Sequence, residues 1–145
     1  MNINGDHLIS LPIEDTRENY LRGFWQWVGL LADDDYTRGV EAIYWPKTVV
    51  FTPTQLKERV TKFWGGPAPW SPVIPNERLI GVVNDDAHFE PPNQNRTGWF
   101  MAQIPVTTEP LRSKADDVIL QGVAVSFFVR EFDRRYVLDF EIFHA

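Results

Sequence analysis

Between residues 15 and 46 apolar side chains recur at intervals of three and four. Leu21, Phe24, Trp25, Val28, Leu31 and Ala32 form one stripe behind Asp15 and Thr16, either of which can cap a helix with Glu18 or Asn19 three residues on. Tyr20, Trp27 and Leu30 widen the stripe beyond what a single neighbour covers, so this helix is expected to lie in the hollow of a sheet. Asp33, Asp34 and Asp35 interrupt the pattern, and Tyr36, Val40, Ile43 and Tyr44 resume it in a shorter second helix that ends near Trp45 and Pro46. Three consecutive carboxylates could gather a metal ion. Free N–H groups and the positive end of a helix dipole already account for acids at this place, so they are read as a cap. Residues 47–51 are short and β-branched and predict a strand. Thr52, Pro53 and Thr54 then open a third helix with Leu56, Val60, Phe63 and Trp64 on its buried stripe. Gly65, Gly66 and Pro67 stop it, and Pro67, Pro69, Pro72 and Pro75 keep the next stretch extended, with Trp70 on a lid or rim.

From Glu77 the period changes to two. Residues 78–84, 96–106, 117–130 and 135–144 read as strands, with longer loops at 85–95 and 107–116 and a tight hairpin connection at Phe132, Asp133 and Arg134. Strict alternation along the last strand puts Tyr136, Leu138, Phe140, Ile142 and His144 on the core face and Val137, Asp139, Glu141 and Phe143 on the other. On 96–106, Phe100, Ala102, Ile104 and Val106 alternate with Trp99, Met101, Gln103 and Pro105, and 117–130 is apolar on both faces. A sheet with helices on one side should be polar on the other. Its greasy outer face is therefore expected to meet a second copy, with Trp99, Met101 and Phe143 forming the dimer face. Helices first and antiparallel strands afterwards make the fold class α+β.

The chain's 145 residues amount to a single domain, 1–145, with 1–14 expected as a flexible N-terminal arm. Fourteen basic and twenty acidic side chains give a net charge of −6 with no basic stripe, so no nucleic-acid partner is expected. Cysteine is absent, which removes thiolate metal sites and a cysteine nucleophile. No run approaches the roughly 18 apolar residues of a membrane span, and the N-terminus lacks the charged and apolar regions of a secretory signal, so a cytoplasmic location is expected. The Asn95-Arg96-Thr97 sequon is discounted, since chance produces it often. Six Trp, ten Phe and four Tyr make 14% of the chain aromatic. Phe24, Trp25, Phe63, Trp64, Phe100 and Phe140 are assigned to the core by period, and Trp99 and Phe143 to the outer sheet face. Tyr20, Trp27, Tyr44 and Trp70 remain as candidate pocket-lining residues for a small apolar or aromatic ligand.

The order of helix, helix, short strand, helix and four long antiparallel strands resembles the nuclear-transport-factor-2-like superfamily over nearly the whole chain. The strings Leu31-Ala32-Asp33-Asp34-Asp35-Tyr36, Thr54-Gln55-Leu56-Lys57-Glu58-Arg59-Val60 and Arg135-Tyr136-Val137-Leu138-Asp139-Phe140 are similar to its helix junction, its third helix and its closing strand. The resemblance implies three N-terminal helices packed in a strongly curved, mostly antiparallel sheet, a cystatin-like cone. It leaves use open, since the superfamily holds isomerases, cyclases, dehydratases, hydrolases and noncatalytic assembly domains. The isomerase base would fall on Thr52, before Pro53, where a hydroxyl cannot abstract a carbon-bound proton, and the oxyanion tyrosine falls on Val28 or Trp27. Asp139 and Glu141 lie outward by alternation and do not fit a hydrolase cluster inside the cone. The remaining catalytic candidates are His88, beside Asp86 and Glu90, and His144, each able to act as a general base if paired with a carboxylate. No metal and no cofactor is expected. Three readings stay open: a small-molecule-binding cone with an aromatic-lined pocket, a cofactor-independent lyase, isomerase or hydrolase using a pocket histidine, and a noncatalytic dimeric interaction module.

Overall fold

The computed structural model describes residues 7–46, 48–65, 70–93, 97–108 and 121–144. Four helices precede or flank a curled antiparallel sheet that forms a half-barrel. Helix α1, Arg17–Ala32, opens on Thr16, whose hydroxyl accepts the Asn19 N–H, and buries Tyr20, Leu21, Phe24, Trp27, Val28 and Leu31. Helix α2, Tyr36–Glu41, is capped by the Asp35 carboxylate, which accepts the Arg38 N–H at 3.1 Å. Part of the acidic triplet therefore does what the cap reading requires. Helix α3, Pro53–Thr61, carries a full capping box in which Thr52 Oγ1 accepts the Gln55 N–H and Gln55 Oε1 accepts the Thr52 N–H.

Two expected strands are absent as such. Residues 48–51 form no strand, and Lys47 lies outside the described residues. The short pairing occurs slightly upstream, where Tyr44 makes a parallel bridge to Asp139. Residues 78–84, read as a strand, belong instead to helix α4, Glu77–Asp86. Its apolar run Leu79, Ile80, Val82 and Val83 fits either period; the Asn76 side chain decides for helix by accepting the Leu79 N–H at 3.0 Å, with Glu77 in the first turn. Leu11, expected in a flexible arm, pairs in both directions with Tyr136, and its side chain sits against Gly23, where an added Cβ would lie 2.6 Å from Leu11 Cδ2.

The sheet consists of β1, Trp70–Pro72; β2, His88–Glu90; β3, Gly98–Thr108; β4, Gln121–Phe132; and β5, Arg135–Phe143. Its order is β1-β3-β4-β5, with β2 on the same edge of β3 as β1, further along. Asp133 and Arg134 both adopt left-handed φ, 52° and 63°, which is the twist a two-residue hairpin between β4 and β5 demands. The concave side is filled with interlocking rings. Tyr20 meets Phe89 and Phe100 edge-on, Trp27 meets Phe127, and Trp45 packs on Phe51 and Phe140. Trp64, assigned to the core by period, is 47% exposed at the end of α3, with its indole N–H donating to the Gly122 carbonyl.

Candidate functional site

The outside of the sheet gathers the chemistry-bearing side chains. One irregularity explains why: β4 and β5 change register between Ser126 and Phe127, so that Phe127 faces Phe140 while Ser126 faces Ile142, and Glu141 is the extra residue of a β-bulge. Past the bulge the alternation inverts. Phe143 turns inward, 5% exposed and in ring contact with Phe51 and Phe140, so it is a core residue and not part of the dimer face. Ile142 turns outward and is 49% exposed. His144, expected on the core face, is carried outward to Ser126, its backbone N–H donating to the Ala124 carbonyl on the same strand.

Three side chains on three strands and His144, just past β5, then form one hydrogen-bonded chain. Trp99 Nε1 on β3 donates to Glu141 Oε1 on β5 at 2.8 Å, Ser126 Oγ on β4 lies 2.6 Å from the same oxygen, and His144 Nε2 lies 2.8 Å from Ser126 Oγ. A hydroxyl has one proton and a carboxylate only accepts, so Ser126 donates to Glu141 and the imidazole donates through Nε2–H to Ser126. That proton order is the reverse of nucleophile activation, in which the imidazole must accept from the serine. Ser126 is also fully buried. The chain holds side chains in place; it does not prepare an attack.

Beside it, Asp139 accepts from Arg130 Nε at 2.9 Å, and the Arg130 guanidinium lies 4.6 Å from the centre of the Tyr44 ring. Burial raises the Asp139 carboxyl above the usual aspartate value, and the bond and charge of Arg130 pull it partly back. Phe128, directly between Trp99 and Asp139 in the strand register, is 38% exposed. Met101 and Trp99 are half-buried on the same face.

The other candidates are placed as follows. His88 is exposed on β2 with Met101 as its register partner, so neither histidine points into the concave side. Tyr20 and Trp27 are fully buried in ring packing, and the Trp27 indole donates to the Gly39 carbonyl at 2.9 Å. The Tyr20 hydroxyl donates to Asp15, and burial followed by the Asp15 charge pushes this phenol well above its usual range. Tyr44 stands outside, against Arg130. Trp70 is half-buried at the edge, donating to the Gly65 carbonyl. A groove of about 250 Å³ runs between the α1–α2 turn, α3 and β1, lined by Leu31, Tyr36, Lys57, Thr61, Ser71 and Pro72, and none of the four proposed aromatic residues lines it.

Alternation alone locates Trp99 and Met101 on β3 and puts Phe128 opposite Phe127 on β4, where the register is unbroken. It carried no signal for Ile142 as an exposed anchor or for His144 as a partner of Ser126, because both depend on the bulge in β5. Among the described residues no three His, Asp or Glu side chains gather as a metal site would need, and no helix is long and apolar enough to cross a membrane. No protein-family model, no curated protein and no solved structure matches the chain.

Proposed function

We propose that this chain is a noncatalytic member of the nuclear-transport-factor-2-like superfamily that works as a homodimer, docking the outside of its sheet on that of a second copy. The observation that carries this reading is the pair Phe128 and Ile142, exposed beside half-buried Trp99 and Met101 on a face whose carboxylates Asp139 and Glu141 already have their donors. Covering such a face removes apolar surface from water while Asp139 keeps its Arg130 cation and Glu141 its two hydrogen-bond donors. Aromatic residues, Met and Arg are also the side chains enriched at contact cores. The size is that of a small contact with a second copy. Three long strands with the two short ones end to end along the outer edge of β3 make a face four strands wide. At about 4.8 Å each, and a length of about 30 Å for β5, it offers roughly 600 Å² of footprint, the low end of the range of about 600–1,000 Å² per partner in a standard contact. The outward position of both histidines and the use of Thr52 in a capping box support the noncatalytic half of the reading.

The test is light scattering or sedimentation over a concentration series. A dimer is expected that Phe128→Glu converts to monomer without changing the dilute-solution melt. A wild-type chain that stays monomeric up to about 0.5 mM sinks the proposal.

A second reading, small-molecule binding, draws on the 250 Å³ groove, where apolar Leu31 and Pro72 stand near the Thr61 and Ser71 hydroxyls and the Lys57 ammonium is already paired with Asp34 at 3.0 Å. Titration of a neutral monocyclic aromatic alcohol by NMR should shift the resonances of Thr61 and Ser71. Shifts absent there, or scattered over the surface, remove this reading.

A further inference from the structure

Trp99 sits on β3 and the carboxylate it donates to sits on β5, with β4 between them. The same Glu141 oxygen lies 2.6 Å from Ser126 Oγ on β4, so indole and carboxylate meet over β4, in the middle of the outer face, and Phe128 is the register partner of Trp99. A half-buried tryptophan left free would have to be immobilised when a partner covers it, which costs affinity. Here it is immobilised beforehand. Glu141 holds the indole N–H, Ser126 holds the Glu141 oxygen from beneath, and His144 supplies the proton that keeps the Ser126 oxygen aligned. The bulge is what makes the set possible, because it pairs Ser126 with Ile142 and turns His144 outward. Among these, Ser126 is fully buried, so it serves the face from below and cannot itself touch a partner.

We propose that Glu141, Ser126 and His144 are positioning residues of the contact with a second copy: they lock the Trp99 indole across β4, between the anchors Phe128 and Ile142. This rests on the dimer reading above and specifies what makes that face competent.

The test is the dimer dissociation constant of the full chain, measured by sedimentation, together with a double-mutant cycle against Trp99→Phe. Glu141→Ala and His144→Ala should each weaken the dimer about two- to tenfold, the range expected for ordering one large side chain on association. Glu141→Gln keeps an oxygen that accepts from both Trp99 and Ser126, and should stay within about twofold of the wild type. In a Trp99→Phe background the effect of Glu141→Ala should vanish, since no indole N–H remains to be held; a merely structural role would leave it unchanged. Dimer affinity that is insensitive to Glu141→Ala, or an alanine effect that persists without the indole, overturns the positioning role while the dimer stands. A monomeric wild type overturns the dimer reading and this one with it. Should an alanine variant fail to fold, the Glu141→Gln and Trp99→Phe pair still decides: a loss with Glu141→Gln as large as with Trp99→Phe counts against the role.

Discussion

The bulge at Glu141 can be tested by exchanging the burial of two adjacent residues. Strict alternation would put Ile142 in the core and Phe143 in the open; the observed register does the reverse, leaving Phe143 5% and Ile142 49% exposed. A nearly fully buried phenylalanine withdraws about 150–200 Å² from water, and at about 25 cal/mol per Å² its removal costs about 4 kcal/mol, inside the 3–5 kcal/mol range for Phe→Ala in cores. The loss is shared by Phe51 and Phe140, whose rings it contacts, and by Arg59, whose guanidinium lies 5.7 Å from its ring centre. Ile142→Ala should cost about 1 kcal/mol or less, as at a half-exposed site. Urea unfolding of both variants supplies the comparison, read from the midpoint with an unchanged slope. It should be run dilute, because any Ile142→Ala cost that disappears on dilution belongs to the contact and not to the fold. An Ile142→Ala variant less stable than Phe143→Ala in dilute solution would refute the inverted register, and with it the route that brings His144 to Ser126.

Two further predictions concern packing and charge. At Gly98 an added Cβ would lie 2.7 Å from the Tyr20 hydroxyl and 2.9 Å from Pro92 Cδ, both held in place, whereas at Gly29, inside α1, it would meet nothing within 4 Å. Gly98→Ala should therefore cost about 1–3 kcal/mol and Gly29→Ala should be neutral or stabilising, and thermal melts showing equal costs would contradict this. Asp139 is raised by burial, so its contribution to stability is fully present below the unfolded aspartate value of about 3.9 and is lost as pH rises through its higher folded value. The stability of Asp139→Asn relative to wild type should accordingly increase from acid to neutral pH in urea unfolding; a decrease over that window would mean that Arg130, not burial, dominates.

Much of the helical part was legible because its determinants are local. The wide stripe of α1, the Asp35 cap, the Thr52 box and the Asp133–Arg134 hairpin all depend on residues a few positions apart. Helix α4 was not, since Leu79, Ile80, Val82 and Val83 satisfy both periods and only the Asn76 cap separates them. The aromatic side chains divide in the same way. Trp99 and Met101 follow from alternation on β3, an uninterrupted strand. Tyr44 was expected to line a pocket, but its direction is set by a bridge to Asp139, a residue far along the chain. Trp64 fits the α3 stripe by spacing and yet lies at the helix end, where little covers it.

By itself the sequence determined an α+β chain of capped amphipathic helices followed by alternating strands, with more aromatic surface than one core face accounts for. Periodicity carries that much because burial of one face acts on every residue at a fixed interval. Which residues at the end of β5 occupy the outer face was decided only in the tertiary structure. A single unpaired residue in β5 reverses every side chain after it, and strand register is a property of two strands together that neither sequence segment contains alone.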